Sequence, residues 1–151
     1  MSVLGIKVSP SLFWYAIASG TQKAPSFINL KADFRVPFPK AISNPNEKVV
    51  YLFHETISIL ERNKDIKLIV IKENEFTRFA EKVTGRFSSN LDGVIMAVAA
   101  LKGIPVKKVL YASLGIKKAQ LLQTAETLAG TTEKYWGEDV ADVILAAKSG
   151  L

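Results

Sequence analysis

Ile66-Lys67-Leu68-Ile69-Val70-Ile71-Lys72-Glu73-Asn74-Glu75 decides how the rest of the chain is read. It begins as a short apolar run rich in β-branched residues and then turns charged, the pattern of a strand buried on both faces of a parallel or mixed sheet. Lys72 and Glu73 emerge at its carboxyl end, where open α/β sheets carry their chemistry. The stretch that follows, Phe76-Thr77-Arg78-Phe79-Ala80-Glu81-Lys82-Val83-Thr84-Gly85-Arg86-Phe87, interleaves cations and aromatic rings. That composition suits a nucleic-acid-facing segment with Lys72, Arg78, Lys82 and Arg86 on phosphates. It equally suits a turn of core helix with solvated charges.

Upstream of this strand the signals are those of antiparallel sheet. Ser2–Ser9 reads as a strand, Ser9-Pro10 turns the chain, and Leu12–Ser19 returns as the second arm of a hairpin. Ser26–Val36 is expected to form a third strand, ended by Val36-Pro37-Phe38-Pro39, because proline offers no ladder donor. A helix then opens with Asn44 as cap, Pro45 at its first position and Glu47 as the capping-box partner, and runs to Arg62. His54 falls among its core positions.

Downstream, a second helix is expected from Ser88-Ser89, with Asp92 as box partner, to a Gly103 stop. Val106–Tyr111 is a further strand, Leu114–Leu128 a helix, and Glu138–Lys148 the last helix. The order βββαβαβαα predicts one α/β domain over residues 1–151, a mixed five-stranded sheet with helices on its faces.

Composition narrows the chemistry. With 151 residues, 48% hydrophobic and 23% charged, the chain can bury a core without staples. No apolar run reaches the roughly 18 residues of a membrane span, and no signal-peptide pattern opens the sequence, so a cytoplasmic protein is expected. The absence of cysteine excludes disulfides and thiolate chemistry, and one histidine excludes multi-histidine metal clusters. A metal would need oxygen ligands, which points to Mg²⁺ or Mn²⁺. The net charge of +6 suits a polyanion partner and also ordinary solubility.

Three local patterns resemble the ribonuclease H-like superfamily, and within it the Holliday-junction resolvase branch with its uncharacterised bacterial relatives. Leu4-Gly5-Ile6 followed by Ser9-Pro10-Ser11 is similar to the family's first strand, Gly-Ile-Asp-Pro-Gly/Ser. Gly103-Ile104-Pro105-Val106 with Ser113-Leu114-Gly115-Ile116-Lys117-Lys118 resembles the stretch where a fifth strand leads into a Lys-Lys helix. Glu138-Asp139-Val140-Ala141-Asp142-Val143-Ile144-Leu145-Ala146 resembles the closing Asp-Ala-Ala-Asp-Ala-Leu-Ala helix. The resemblance implies carboxylates holding two Mg²⁺ ions about 4 Å apart for phosphodiester hydrolysis, and a homodimer. It assigns Glu73, Asp139 and Asp142 as catalytic metal ligands.

The first-strand aspartate has no match, because Lys7 stands there. An ammonium repels the dications that should bridge this position. It is expected to pair with Glu73 or Asp142 and leave a degenerate site; Asp33 and Glu75 are the other nearby acids. Lys107, Lys108, Lys117 and Lys118 form a second basic group for branched DNA or an RNA–DNA hybrid. Two alternatives stand beside this reading: an active Mg- or Mn-dependent nuclease with an atypical first strand, and a non-catalytic interaction or oligomerisation module. The module would use Phe13-Trp14-Tyr15 or helix 91–101.

Overall fold

The computed structural model describes residues 1–75 and 83–151. The expectations placed on Phe76, Arg78, Phe79 and Lys82 lie outside these residues. In chain order the elements are β1 (Ser2–Val8), β2 (Leu12–Thr21), β3 (Ala24–Phe27), β4 (Arg35–Pro37), α1 (Pro45–Arg62) and β5 (Ile66–Lys72). There follow α2 (Val83–Leu101), β6 (Val106–Val109), α3 (Tyr111–Leu114), a 3₁₀ turn at Lys118–Gln120, α4 (Leu121–Ala129) and α5 (Glu138–Ser149). The sheet runs β3-β2-β1-β5-β6, with β4 beside β2. β1 is antiparallel to β2 and parallel to β5, and β5 is parallel to β6. This is the mixed sheet the sequence predicts.

Side chains alternate across the strands and sort the apolar residues into two layers. Leu4, Ile6, Phe13, Ile17, Ile69 and Ile71 pack with Leu52 and Ile59 of α1 and Leu91 and Ile95 of α2. On the other face, Ala16 and Ala18 pack with Leu121 of α4 and Val140, Val143 and Ile144 of α5, while Val3 and Val70 meet Ala146. Every residue from Val140 to Ala147 is buried, and all but Asp142 are apolar, as suits a helix enclosed in the core. Gly5 admits this helix. A Cβ there would collide with the Val143 carbonyl oxygen and the Ala147 amide.

Four boundaries differ from the sequence expectation. The third strand is two short pieces, β3 and β4, because residues 29–33 leave the ladder and the Asn29 side chain replaces it. Asn29 Oδ1 accepts the Ile17 N–H at 2.8 Å, and Nδ2 donates to the Tyr15 and Asp33 carbonyls at 3.0 and 2.7 Å. α2 begins at Val83, so Asp92 lies within the helix rather than at its cap. Gly115, at φ 64°, ends α3 and separates it from α4, where one helix over Leu114–Leu128 was expected. β6 stops at Val109, and Tyr111 opens α3.

His54 is not a core residue. It is exposed on α1, edge-on to Phe53. Phe13 and Tyr15 are buried and Trp14 half-buried, so the aromatic hairpin is core rather than an interaction surface. No helix among the described residues is long and apolar enough to cross a membrane.

Candidate functional site

The register of the two central parallel strands builds the site. Ile6 pairs with Ile71, so the next residues, Lys7 and Lys72, stand side by side at the carboxyl end. Lys7 shares its face with Val3 and Gly5, and Lys72 with Val70; that face is covered by α5. The first-strand position where the resemblance expects an acid, and the inward position of β5 beside it, therefore both present ammonium groups.

Lys7 Nζ donates to Asp139 Oδ1 at 2.8 Å and to Asp142 Oδ2 at 2.6 Å. Asp139 and Asp142 sit three apart on α5, so both reach the same cation. The Asp142 side chain is wholly buried and that of Lys7 is 16% exposed. Burial pulls the Lys7 pKa down, but the charges and hydrogen bonds of Asp142 and Asp139 outweigh it, and the ammonium titrates above its ordinary value. Asp142 Oδ1 is buried without a well-formed hydrogen bond among the described residues. Burial first, and then the charge of Asp142, push the neighbouring Tyr111 hydroxyl well up.

Lys72 is 2% exposed. Its Nζ donates to Glu75 Oε1 at 2.9 Å and to the Glu73 carbonyl at 2.7 Å, and lies 4.1 Å from the centre of the Tyr111 ring. Glu75 Oε1 also accepts the Tyr111 amide at 2.7 Å. Burial alone would raise the Glu75 carboxyl; the Tyr111 amide and Lys72, with Lys7 beyond, bring it below its usual range.

Glu73 is one residue out of phase with Lys72 and does not join this cluster. It pairs with Lys108 of β6 at 2.7 Å. Behind that pair lies Asp92 of α2, 4% exposed. Its carboxyl is pushed up to about 7 by burial, with Lys108 opposing and Glu73 adding to the rise. Asp33, exposed, faces Arg62 at 3.9 Å. Among the other basic residues, Lys107 and Lys117 are exposed, Lys118 pairs with Glu138 at 3.2 Å, and Arg86 is exposed on α2.

The structure thus brings Asp139 and Asp142 together with Lys7 and Lys72, adds Glu75 and Tyr111, and keeps Glu73 apart. Counting strand alternation from Val70 identifies Lys72 as the inward residue; Tyr111 gives no signal, because its place depends on where β6 ends. The donor set does not fit the two-metal centre that the resemblance implies. Two ammonium groups hold the strand positions, and their hydrogen bonds occupy Asp139 Oδ1, Asp142 Oδ2 and Glu75 Oε1. Among the described residues, no three of His, Asp and Glu converge as metal ligands.

No protein-family model matches the sequence, and no curated protein matches it. Solved structures do. The fold is similar to that of Thermus thermophilus RuvC in complex with a Holliday junction substrate, with TM-score 0.78 and 16% identity over 99% of this chain and 91% of that one. A second Thermus thermophilus RuvC structure gives 0.76 at 16% identity, covering 99% and 92%. The yeast mitochondrial Holliday junction resolvase gives 0.61 at 14% identity, covering 97% of this chain and 75% of that one. The chain has the ribonuclease H-like fold of the RuvC resolvases.

Proposed function

We propose that this protein uses a resolvase fold to bind branched or structured nucleic acid, four-way DNA or an RNA–DNA hybrid, without metal-dependent cleavage. One observation carries the reading: the Lys7 ammonium lies between Asp139 and Asp142, at 2.8 and 2.6 Å, where a metal-dependent nuclease would hold its cation. The cluster sets two ammonium groups against three carboxylates, and the ammonium hydrogen bonds occupy an oxygen of each. Chain connectivity brings the exposed Lys107, Lys108, Lys117 and Lys118 to β6 and the segment that follows it, a surface suited to phosphates.

The test is fluorescence anisotropy with four-way DNA, duplex DNA and an RNA–DNA hybrid across a salt series, with cleavage followed in Mg²⁺ and in Mn²⁺. Binding should fall steeply with salt, and the Lys107→Glu, Lys117→Glu, Lys118→Glu variant should lower the log–log slope by about 3. Cleavage abolished by Asp142→Asn would replace this reading with the active nuclease. No binding at low salt would remove nucleic acid as partner.

A second reading, self-association, rests on α2, where Met96 and Leu101 are 43% and 67% exposed beside the small residues Gly93, Ala97 and Ala100. Sedimentation of wild type and Met96→Lys tests it. A monomer in both ends it.

A further inference from the structure

We propose that the cavity between the β3–β4 edge and the loop after α4 is a nucleotide-binding pocket, taking one planar base inside and its phosphate at the rim. The cavity measures about 650 Å³, within the range of small-molecule sites. Phe27, Leu30, Phe34 and Leu128 supply apolar lining. Lys31, Arg35 and Lys134 also line it, against one acid, Glu133. An apolar interior with cations beside it matches an anion that carries a flat, weakly polar body.

Tyr135 singles out a planar ligand. It is the one non-glycine residue with positive φ, 60°, among those described. A tyrosine held there is backbone strain, which accumulates at ligand sites. The strained residue is 62% exposed, so no core packing accounts for it. Its ring carries the Arg35 guanidinium, with Cζ 4.4 Å from the centroid. A stacked arginine–tyrosine pair beside an apolar slot is a platform for a base. Arg35 is also opposite Trp14, and Trp14 opposite Lys7, so the pocket lines up with the central cluster along one cross-strand row. The pocket is separate from the Lys107–Lys118 surface and does not depend on it.

Both tryptophans of the chain, Trp14 and Trp136, pack in the apolar cluster that contains Phe27, Leu30 and Phe34. Their fluorescence reports occupancy. The full chain is titrated with thymidine monophosphate, an oligothymidylate of about ten nucleotides, inorganic phosphate and decanoate. Tyr135→Gly removes the ring at a φ that glycine prefers, so folding is kept; Arg35→Gln removes the cation. Saturable quenching by the mononucleotide, weakened on the order of tenfold in both variants, supports a pocket for free nucleotides. Quenching by the oligonucleotide alone, with the same losses, supports one nucleotide of a single strand. The proposal is overturned by no saturable quenching, by wild-type affinity in both variants, by phosphate binding as tightly as the nucleotide, or by decanoate binding where neither nucleotide probe does.

Discussion

Lys7 and Lys72 stand side by side on neighbouring parallel strands, one step past the Ile6–Ile71 pair, and each ammonium has its own carboxylates. Two like charges at adjacent, largely buried positions would repel strongly if unpaired. Their separation into Lys7 with Asp139 and Asp142, and Lys72 with Glu75, is what makes the arrangement stable.

Reversing both charges should recreate a cation site. Lys7→Asp with Lys72→Glu places two further carboxylates opposite Asp139 and Asp142. Mn²⁺ titration followed by the loss of its free-ion electron paramagnetic resonance signal should show specific binding in this double variant and none in wild type. Specific binding in wild type, lost in Asp142→Asn, would show that the ammonium does not exclude the ion.

Lys7→Met should destabilise the fold by about 3 kcal/mol, because it leaves the Asp142 charge buried without its cation. Adding Asp142→Leu should recover most of that loss, since matched apolar side chains replace a buried pair well. Urea unfolding of wild type and the two variants measures both. A single variant as stable as wild type would mean that Lys7 does not hold Asp142.

The pair also sets an alkaline limit. The folded Lys7 pKa lies above its unfolded value of 10.5, so its stabilisation is complete below 10.5 and is lost as pH rises through the folded value. Glu75 behaves in the opposite sense: its contribution is present above 4.5 and fades as pH falls through its lower folded value. On the alkaline side, the deficit of Lys7→Met should therefore begin to shrink only above pH 10.5.

Asp92→Asn should stabilise the protein, and increasingly so from about pH 4 to about pH 7. Asp92 is neutral in the fold until about 7, whereas an aspartate ordinarily titrates at 3.8, so wild-type stability declines across that window. The full gain is on the order of 4 kcal/mol, at about 1.4 kcal/mol per unit of separation. Thermal melts across this range give the curve. A constant difference between variant and wild type would mean that Asp92 stays ionised in the fold.

Gly5→Ala should cost about 3 kcal/mol or prevent folding, since the added methyl meets α5 backbone rather than a yielding side chain. Gly93→Ala, where nothing lies within 4 Å, is the control and should not destabilise.

The sheet, its strand directions and the helical layers were legible in the sequence because hydrophobic period and proline placement are local signals. The break between β3 and β4 was not. It depends on Asn29 reaching Ile17, twelve positions away, a contact no periodicity encodes. The resemblance of the last helix to a resolvase helix left Lys7 to pair with Glu73 or Asp142, and it pairs with Asp142 and also with Asp139. Which acid stands near Lys7 from the fourth of the expected strands was decided by parity, and the apparent candidate, Glu73, falls on the wrong side. His54 was misplaced because it lies beside core positions of α1 while its own angle on the helix faces water.

Asn29 leaves the fold with a chemical lifetime as well as a free energy. Its side-chain amide donates to two main-chain carbonyls and accepts from one main-chain amide. Deamidation to aspartate would keep the acceptor but turn the donor end into a second oxygen facing those carbonyls. Slow hydrolysis of one amide, with no change in the gene, would then unfasten the outer edge of the sheet beside Leu30 and Phe34, which line the pocket next to it.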